Sequence, residues 1–133
     1  MEEVVDIIKG LNPRKAPGSD GITNKVLKRF PARLVFLLTA IYNAALSNNI
    51  FPQPWKQAIV IGIPKPGKPK TDPTSYRPIS LLCTIGKIYE RILYTRLKDY
   101  AYDNKLIPDE QFGFRSKHSC VQQVHRIVEH SLA

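Results

Sequence analysis

The sequence predicts an α+β fold that is mostly helical and carries one short antiparallel β-hairpin. Two observations predict it. Apolar residues recur at spacings of three and four over most of the 133 residues, the period of helices buried on one side. Only residues 56–63 (KQAIVIGI) and 76–82 (YRPISLL) break that period, as β-branched runs bounded by prolines.

The elements follow in order. Residues 2–11 put Val4, Val5, Ile7, Ile8 and Leu11 on one side of a helix whose first turn holds Glu2 and Glu3, where the helix dipole favours acids. Pro13, Pro17, Gly18 and the Asp20-Gly21 pair make 12–22 a loop carrying Arg14 and Lys15. A short helix capped by Thr23 runs to about Phe30. A longer one starts with Pro31 in its first turn, where a missing backbone donor costs nothing. Its inward face is Leu34, Val35, Leu38, Ile41, Tyr42, Ala45 and Leu46.

After the hairpin, Thr84 to about Asn104 regains a helical stripe of Ile85, Ile88, Tyr89, Ile92, Leu93, Leu97 and Tyr100. Lys87, Glu90, Arg91, Arg96 and Lys98 fall mostly off it. Residues 106–118 form a turn-rich connector with a short extended piece around Phe112 to Phe114. Ser119, with Gln122 three residues on, is a capping box opening a last helix with Val121, Val124, Ile127 and Val128 inward. A chain of this length buries about two thirds of its unfolded surface, enough for one core and one domain.

Lys plus Arg outnumber Asp plus Glu by 20 to 11, a formal charge of +9 that favours a polyanionic partner. Nucleic acid is the first candidate. A membrane is not expected: the most apolar stretch, residues 34–47, is too short to span and follows Arg33. The acidic amino terminus has no signal-peptide pattern, so an intracellular location, cytoplasmic or nuclear, is expected. Cys83 and Cys120 form no disulfide framework and read as small core residues. His118, His125 and His130 lack the i, i+4 spacing of a helical metal site.

Two basic clusters could carry function. The hairpin loop holds Lys65, Lys68, Lys70 and Arg77, and a rigid guanidinium near a flexible ammonium suits a polyphosphate. The plain alternative is a solvated hairpin tip whose lysines protect a strand edge, although an arginine inside the strand pattern fits that less well. The second cluster, Arg115, Lys117 and His118, precedes the last helix, whose free backbone donors suit a phosphate backbone. Here the alternative is an ordinary capped helix start. Phe112 and Phe114 could stack on bases, but aromatics beside a glycine are more often core.

Four segments together resemble one family: residues 15–22 (KAPGSDGI), 51–68 (FPQPWKQAIVIGIPKPGK), 76–97 (YRPISLLCTIGKIYERILYTRL) and 111–120 (QFGFRSKHSC). In order and spacing they resemble the reverse transcriptase domain of non-long-terminal-repeat retrotransposons, the jockey-like and LINE-like group. The resemblance implies that residues 1–133 are a partial domain, the fingers and start of the palm of a right-hand polymerase. Lys65 and Arg77 then match the fingers pair that holds the triphosphate of the incoming deoxynucleotide. Arg115, with Lys117 and Ser119 beside it, matches the segment along the template, and Lys15 matches an upstream template-side position. The implied partners are RNA template, DNA primer, deoxynucleoside triphosphate and the remaining palm and thumb.

Such polymerases use two magnesium ions held by palm aspartates. In the family pattern these aspartates follow the point where this sequence stops, and Asp99, Asp103, Asp109 and Glu110 make no ligand pair. No catalytic or metal-binding residue is therefore assigned, and this stretch alone is expected to bind no magnesium and to extend no primer. Two other expectations remain beside the polymerase fragment: a non-catalytic nucleic-acid-binding module, and an inert relic of a retrotransposon.

Overall fold

The computed structural model describes residues 1–115 and 117–132, of which Leu132 is described in its backbone alone. Among them are helices α1 (Glu2–Gly10), α2 (Asn24–Leu27), α3 (Ala32–Ser47), α4 (Thr84–Asp103) and α5 (Cys120–Leu132). Strands β1 (Ala58–Pro64) and β2 (Tyr76–Leu82) pair antiparallel, from Ala58 opposite Leu82 to Pro64 opposite Tyr76. The chain is thus α+β, with the hairpin where the sequence places it. None of the described helices is long and apolar enough to cross a membrane. Two compact units are resolved by their internal packing, Met1–Tyr94 and Thr95–Ala133.

In the first unit the helical periodicities converge on one core. Val4 and Ile8 of α1, Leu27 of α2, Val35, Leu38, Tyr42 and Ala45 of α3, and Ile88, Tyr89 and Ile92 of α4 are all buried. Each large apolar side chain so buried contributes about 1.5–3 kcal/mol. Leu34 and Ile41 of the predicted α3 face remain exposed, because the core contacts a narrower arc of the helix than its apolar face spans. Thr23 caps α2 by accepting the Val26 N–H at 3.3 Å. Pro31 occupies the cap position of α3, just outside its first turn.

An aromatic cluster closes the core. Trp55, in a short 3-10 turn at Gln53–Lys56, meets Tyr42 at 5.7 Å and Tyr89 at 5.2 Å between ring centroids, with Phe51 against Trp55 and Tyr89. The buried hydroxyls find acceptors: Tyr42 donates to the Ile85 carbonyl at 2.9 Å and Tyr89 to the Ile50 carbonyl at 3.3 Å. Burial, with a smaller contribution from Cys83, pushes the Tyr42 phenol well above its ordinary range. An unfolded tyrosine titrates near pH 10. The folded state therefore holds the proton more tightly, and its advantage is fully present below about pH 10 and lost as pH rises further. Stability measured by urea denaturation is expected to fall above pH 10, and Tyr42→Phe is expected to make that fall shallower.

Gly18 fixes the first loop against the hairpin's exit, since a side chain there would collide with the backbone of Leu82 and Cys83. Thr84 donates its hydroxyl to the Ile22 carbonyl at 2.8 Å, tying the end of that loop to the start of α4. Cys83 is buried, as predicted, whereas Cys120 is exposed. The core reading of Cys120 is corrected by its place at the open first turn of α5.

The second unit is differently built. Ser119 and Gln122 form the capping box reciprocally, at 2.9 and 3.3 Å. Val121, Val124, Ile127 and Val128 of α5, predicted inward, are exposed, as are Leu97 and Tyr100 of α4. These faces are apolar in the sequence, yet the described residues supply no surface to cover them. The extended piece predicted at Phe112 to Phe114 is instead a turn, with Phe114 in the left-handed region at φ 57°. Phe112 packs edge-on to His118 and beneath the Arg126 guanidinium, while Phe114 is fully exposed.

Candidate functional site

The hairpin is a ribbon with an orderly register. Ile63 faces Arg77, and Lys65 follows two residues beyond Ile63, its backbone N–H donating to the Ser75 carbonyl at 2.7 Å. Side chains alternate along a strand, so Ile63 and Arg77 project to the same side, and the backbone bond to Ser75 carries the pairing one residue past β1 to Lys65. Lys65 and Arg77 are then diagonal neighbours, roughly 7–8 Å apart at the backbone and within reach of one another's long side chains. The opposite side carries Gly62, Pro64, Tyr76 and Pro78, and there the Tyr76 ring lies over Gly62.

The connection from Lys65 to Tyr76 is shaped by local hydrogen bonds. Gly67 takes φ 70°, a conformation that costs a glycine nothing. Asp72 opens a 3-10 turn over Pro73–Ser75, its carboxylate accepting the Thr74 N–H at 2.8 Å. That bond holds the Asp72 carboxyl below its ordinary titration range. Ser75 is buried, and the Tyr76 hydroxyl donates to the Lys70 carbonyl at 3.0 Å. The Lys65 ammonium donates to the Thr74 carbonyl at 2.8 Å.

Of the four cations in this segment, Lys65 is half-buried and anchored, while Lys68, Lys70 and Arg77 are exposed. Lys65 keeps two of its three N–H donors for a ligand. Arg77 sits on a hydrogen-bonded strand, so its direction is set by the ribbon. Sequence reading proposed this pair but did not foresee the turn behind Lys65. Its signal was legible in Asp72-Pro73, an acceptor cap followed by a proline at the first helical position.

Lys15 lies in the first unit on an exposed turn, its N–H donating to the Asn12 carbonyl at 3.3 Å. In the second unit, Arg115 and Lys117 border one open hollow of about 600 Å³, together with Lys98, Asp99, Tyr102, Asp103 and His118. The Arg115 guanidinium is engaged inside the connector, donating to the Pro108 carbonyl at 3.2 Å and pairing with Asp109 at 3.3 Å. Its side chain is only 16% exposed. Lys117 is exposed and left-handed at φ 62°. Ser119 is exposed as well, but its hydroxyl is engaged in its cap. Residue 116, within the same segment, lies outside the described residues.

Residues 63–132, just over half of the chain, match the family described as reverse transcriptase (RNA-dependent DNA polymerase). The chain is 48% identical over 132 residues to the probable RNA-directed DNA polymerase from transposon BS of Drosophila melanogaster, covering 99% of this chain and 15% of that protein. It is 42% identical to the RNA-directed DNA polymerase from mobile element jockey of the same organism, covering 99% and 14%. A third relative, the retrovirus-related Pol polyprotein from type-1 retrotransposable element R1 of Bradysia coprophila, is 35% identical, covering 97% and 13%. The chain therefore spans about one seventh of the length of the curated relatives it matches.

Proposed function

Because the chain belongs to the reverse transcriptase (RNA-dependent DNA polymerase) family, we propose that it forms the fingers and the start of the palm of a mobile-element polymerase. In this reading Lys65 and Arg77 hold the triphosphate of the incoming deoxynucleotide. The observation that carries it is the hairpin itself, in which Arg77 stands on a strand opposite Ile63 and the Lys65 ammonium, just past the end of the other strand, is anchored to the Thr74 carbonyl. An arginine fork takes two phosphate oxygens at fixed geometry, and the lysine adds a point charge. The pair binds and orients; it supplies charge to the phosphates without itself breaking a bond. Lys15, Lys117 and, with its guanidinium already engaged, Arg115 are proposed as template-side contacts, the RNA template and DNA primer being the polyanion that a charge of +9 suits.

Magnesium supplies charge neutralisation and hydroxyl activation in such polymerases. The donor set here does not fit it: Asp99 and Asp103 share their hollow with Lys98, Arg115 and Lys117, and no group of three or more metal-ligating side chains occurs among the described residues. No step is assigned to the metal on these residues, and the 133-residue polypeptide alone is proposed not to extend a primer. A non-catalytic nucleic-acid-binding module would use the same cations.

Titration with a deoxynucleoside triphosphate tests the grip. Lys65→Ala and Arg77→Ala are each expected to weaken binding about ten-fold or more, the effect of losing a charged hydrogen bond. Lys68→Ala and Lys70→Ala are expected to change it less than two-fold. Equal losses at all four positions, or none, would overturn the assignment.

A further inference from the structure

A lysine side chain ends in a mobile ammonium, and ordering it costs much of the rotamer freedom of a four-carbon stem. In this hairpin that order exists before any ligand arrives. Lys65 donates from its backbone to the Ser75 carbonyl at 2.7 Å and from its ammonium to the Thr74 carbonyl at 2.8 Å. Two adjacent carbonyls thus hold both ends of one residue. Both carbonyls belong to the Pro73–Ser75 turn, and that turn rests on Asp72 twice: the carboxylate accepts from Thr74 at 2.8 Å, and the Asp72 carbonyl accepts from the Ser75 N–H at 2.9 Å.

We propose that Asp72 is a positioning residue: by accepting the Thr74 N–H it fixes the Thr74 carbonyl, which in turn holds the Lys65 ammonium in place. This rests on the reading of Lys65 as a phosphate contact and adds how that contact is prepared. The carbonyl takes one ammonium proton and leaves two for phosphate oxygens. A ligand then meets an ordered donor, and the entropy of ordering it does not subtract from binding. The carboxylate itself works against an anion by its charge, so its use here as a cap requires that the gain in order exceed the repulsion. An asparagine would give the same cap with an uncharged oxygen.

The 133-residue chain and inorganic tripolyphosphate suffice for the test, with affinity read by calorimetry and the hairpin followed by the amide resonances of Thr74 and Ser75. Asp72→Ala is expected to weaken binding about three- to ten-fold, the scale of a lost cap. Asp72→Asn should restore parental affinity or exceed it. In a Lys65→Ala background, Asp72→Ala should have no further effect, because its influence runs through that ammonium. Tighter binding by Asp72→Ala, no rescue by asparagine, or an undiminished loss in the Lys65→Ala background would overturn the proposal. Should the alanine variant unfold the hairpin, the asparagine variant still decides, since its cap is intact. If Lys65→Ala alone leaves affinity unchanged, the phosphate contact itself is wrong; if it weakens binding and Asp72→Ala does not, only the role of Asp72 is wrong.

Discussion

Gly18→Val is expected to unfold the Met1–Tyr94 unit or leave it marginally stable. A Cβ at position 18 would collide with the backbone of Leu82 and Cys83, atoms that cannot rotate away as a side-chain tip can. Overpacking of a compliant core site costs about 1–3 kcal/mol, and a clash with two segments of main chain lies at or beyond the upper end. Against a typical total of about 5–15 kcal/mol, that is a large share. Gly10→Ala provides the contrast, since nothing stands near its missing side chain and alanine favours the helix, so it should be neutral or slightly stabilising. Trp55 is the chain's single tryptophan and sits in the aromatic cluster, so its fluorescence through a urea titration reads both variants. A Gly18→Val midpoint equal to that of the parent would show that the loop does not seat against the hairpin's exit.

The second large effect concerns salt. If the proposed template-side cations Lys15, Arg115 and Lys117 each neutralise a phosphate of a single-stranded RNA, the logarithm of the affinity falls with the logarithm of salt by about 0.7 per contact. Three contacts give a slope of about −2, and binding roughly twenty-fold weaker at 200 mM than at 50 mM salt. Changing the RNA sequence should matter little, because phosphates carry no sequence information. Fluorescence anisotropy with two unrelated RNAs over that range measures both. Flat salt dependence would remove the polyanion from the proposed function.

Much of the fold is legible because local chemistry and tertiary context agree. The core positions of α1, α3 and the first half of α4 follow from a 3.6-residue period, and both Thr23 and Ser119 cap as their side chains dictate. Arg77 could be singled out because a strand pattern fixes where its side chain goes, whereas Lys65 was set apart from Lys68 and Lys70 by the family resemblance alone. Periodicity says that a face is apolar; it does not say that a partner is present. Hence Leu97 and Tyr100 of α4 and the valines of α5 read as core and stand exposed.

Phe114 failed for a different reason. A phenylalanine beside a glycine suggests extended or core structure, and only the surrounding chain could select its left-handed backbone, which few non-glycine residues adopt. Arg115 reads as a free cation by composition, yet Pro108 and Asp109 engage it through contacts that no spacing rule announces. The Asp72 turn lay between these cases, since its cap was legible while its connection to Lys65 required the pairing of two strands.

The claim that Lys65 lies against the phosphate tail of a nucleotide can be read out by covalent labelling. A nucleoside triphosphate bearing an acyl group on its terminal phosphate transfers that group to an amine held beside the phosphates, forming an amide and releasing the nucleotide. Peptide mapping of the labelled 133-residue chain should place the acyl group chiefly on Lys65, and an excess of unmodified deoxynucleoside triphosphate should suppress it. Label spread evenly over Lys65, Lys68 and Lys70, or undiminished by the competitor, would contradict the assignment.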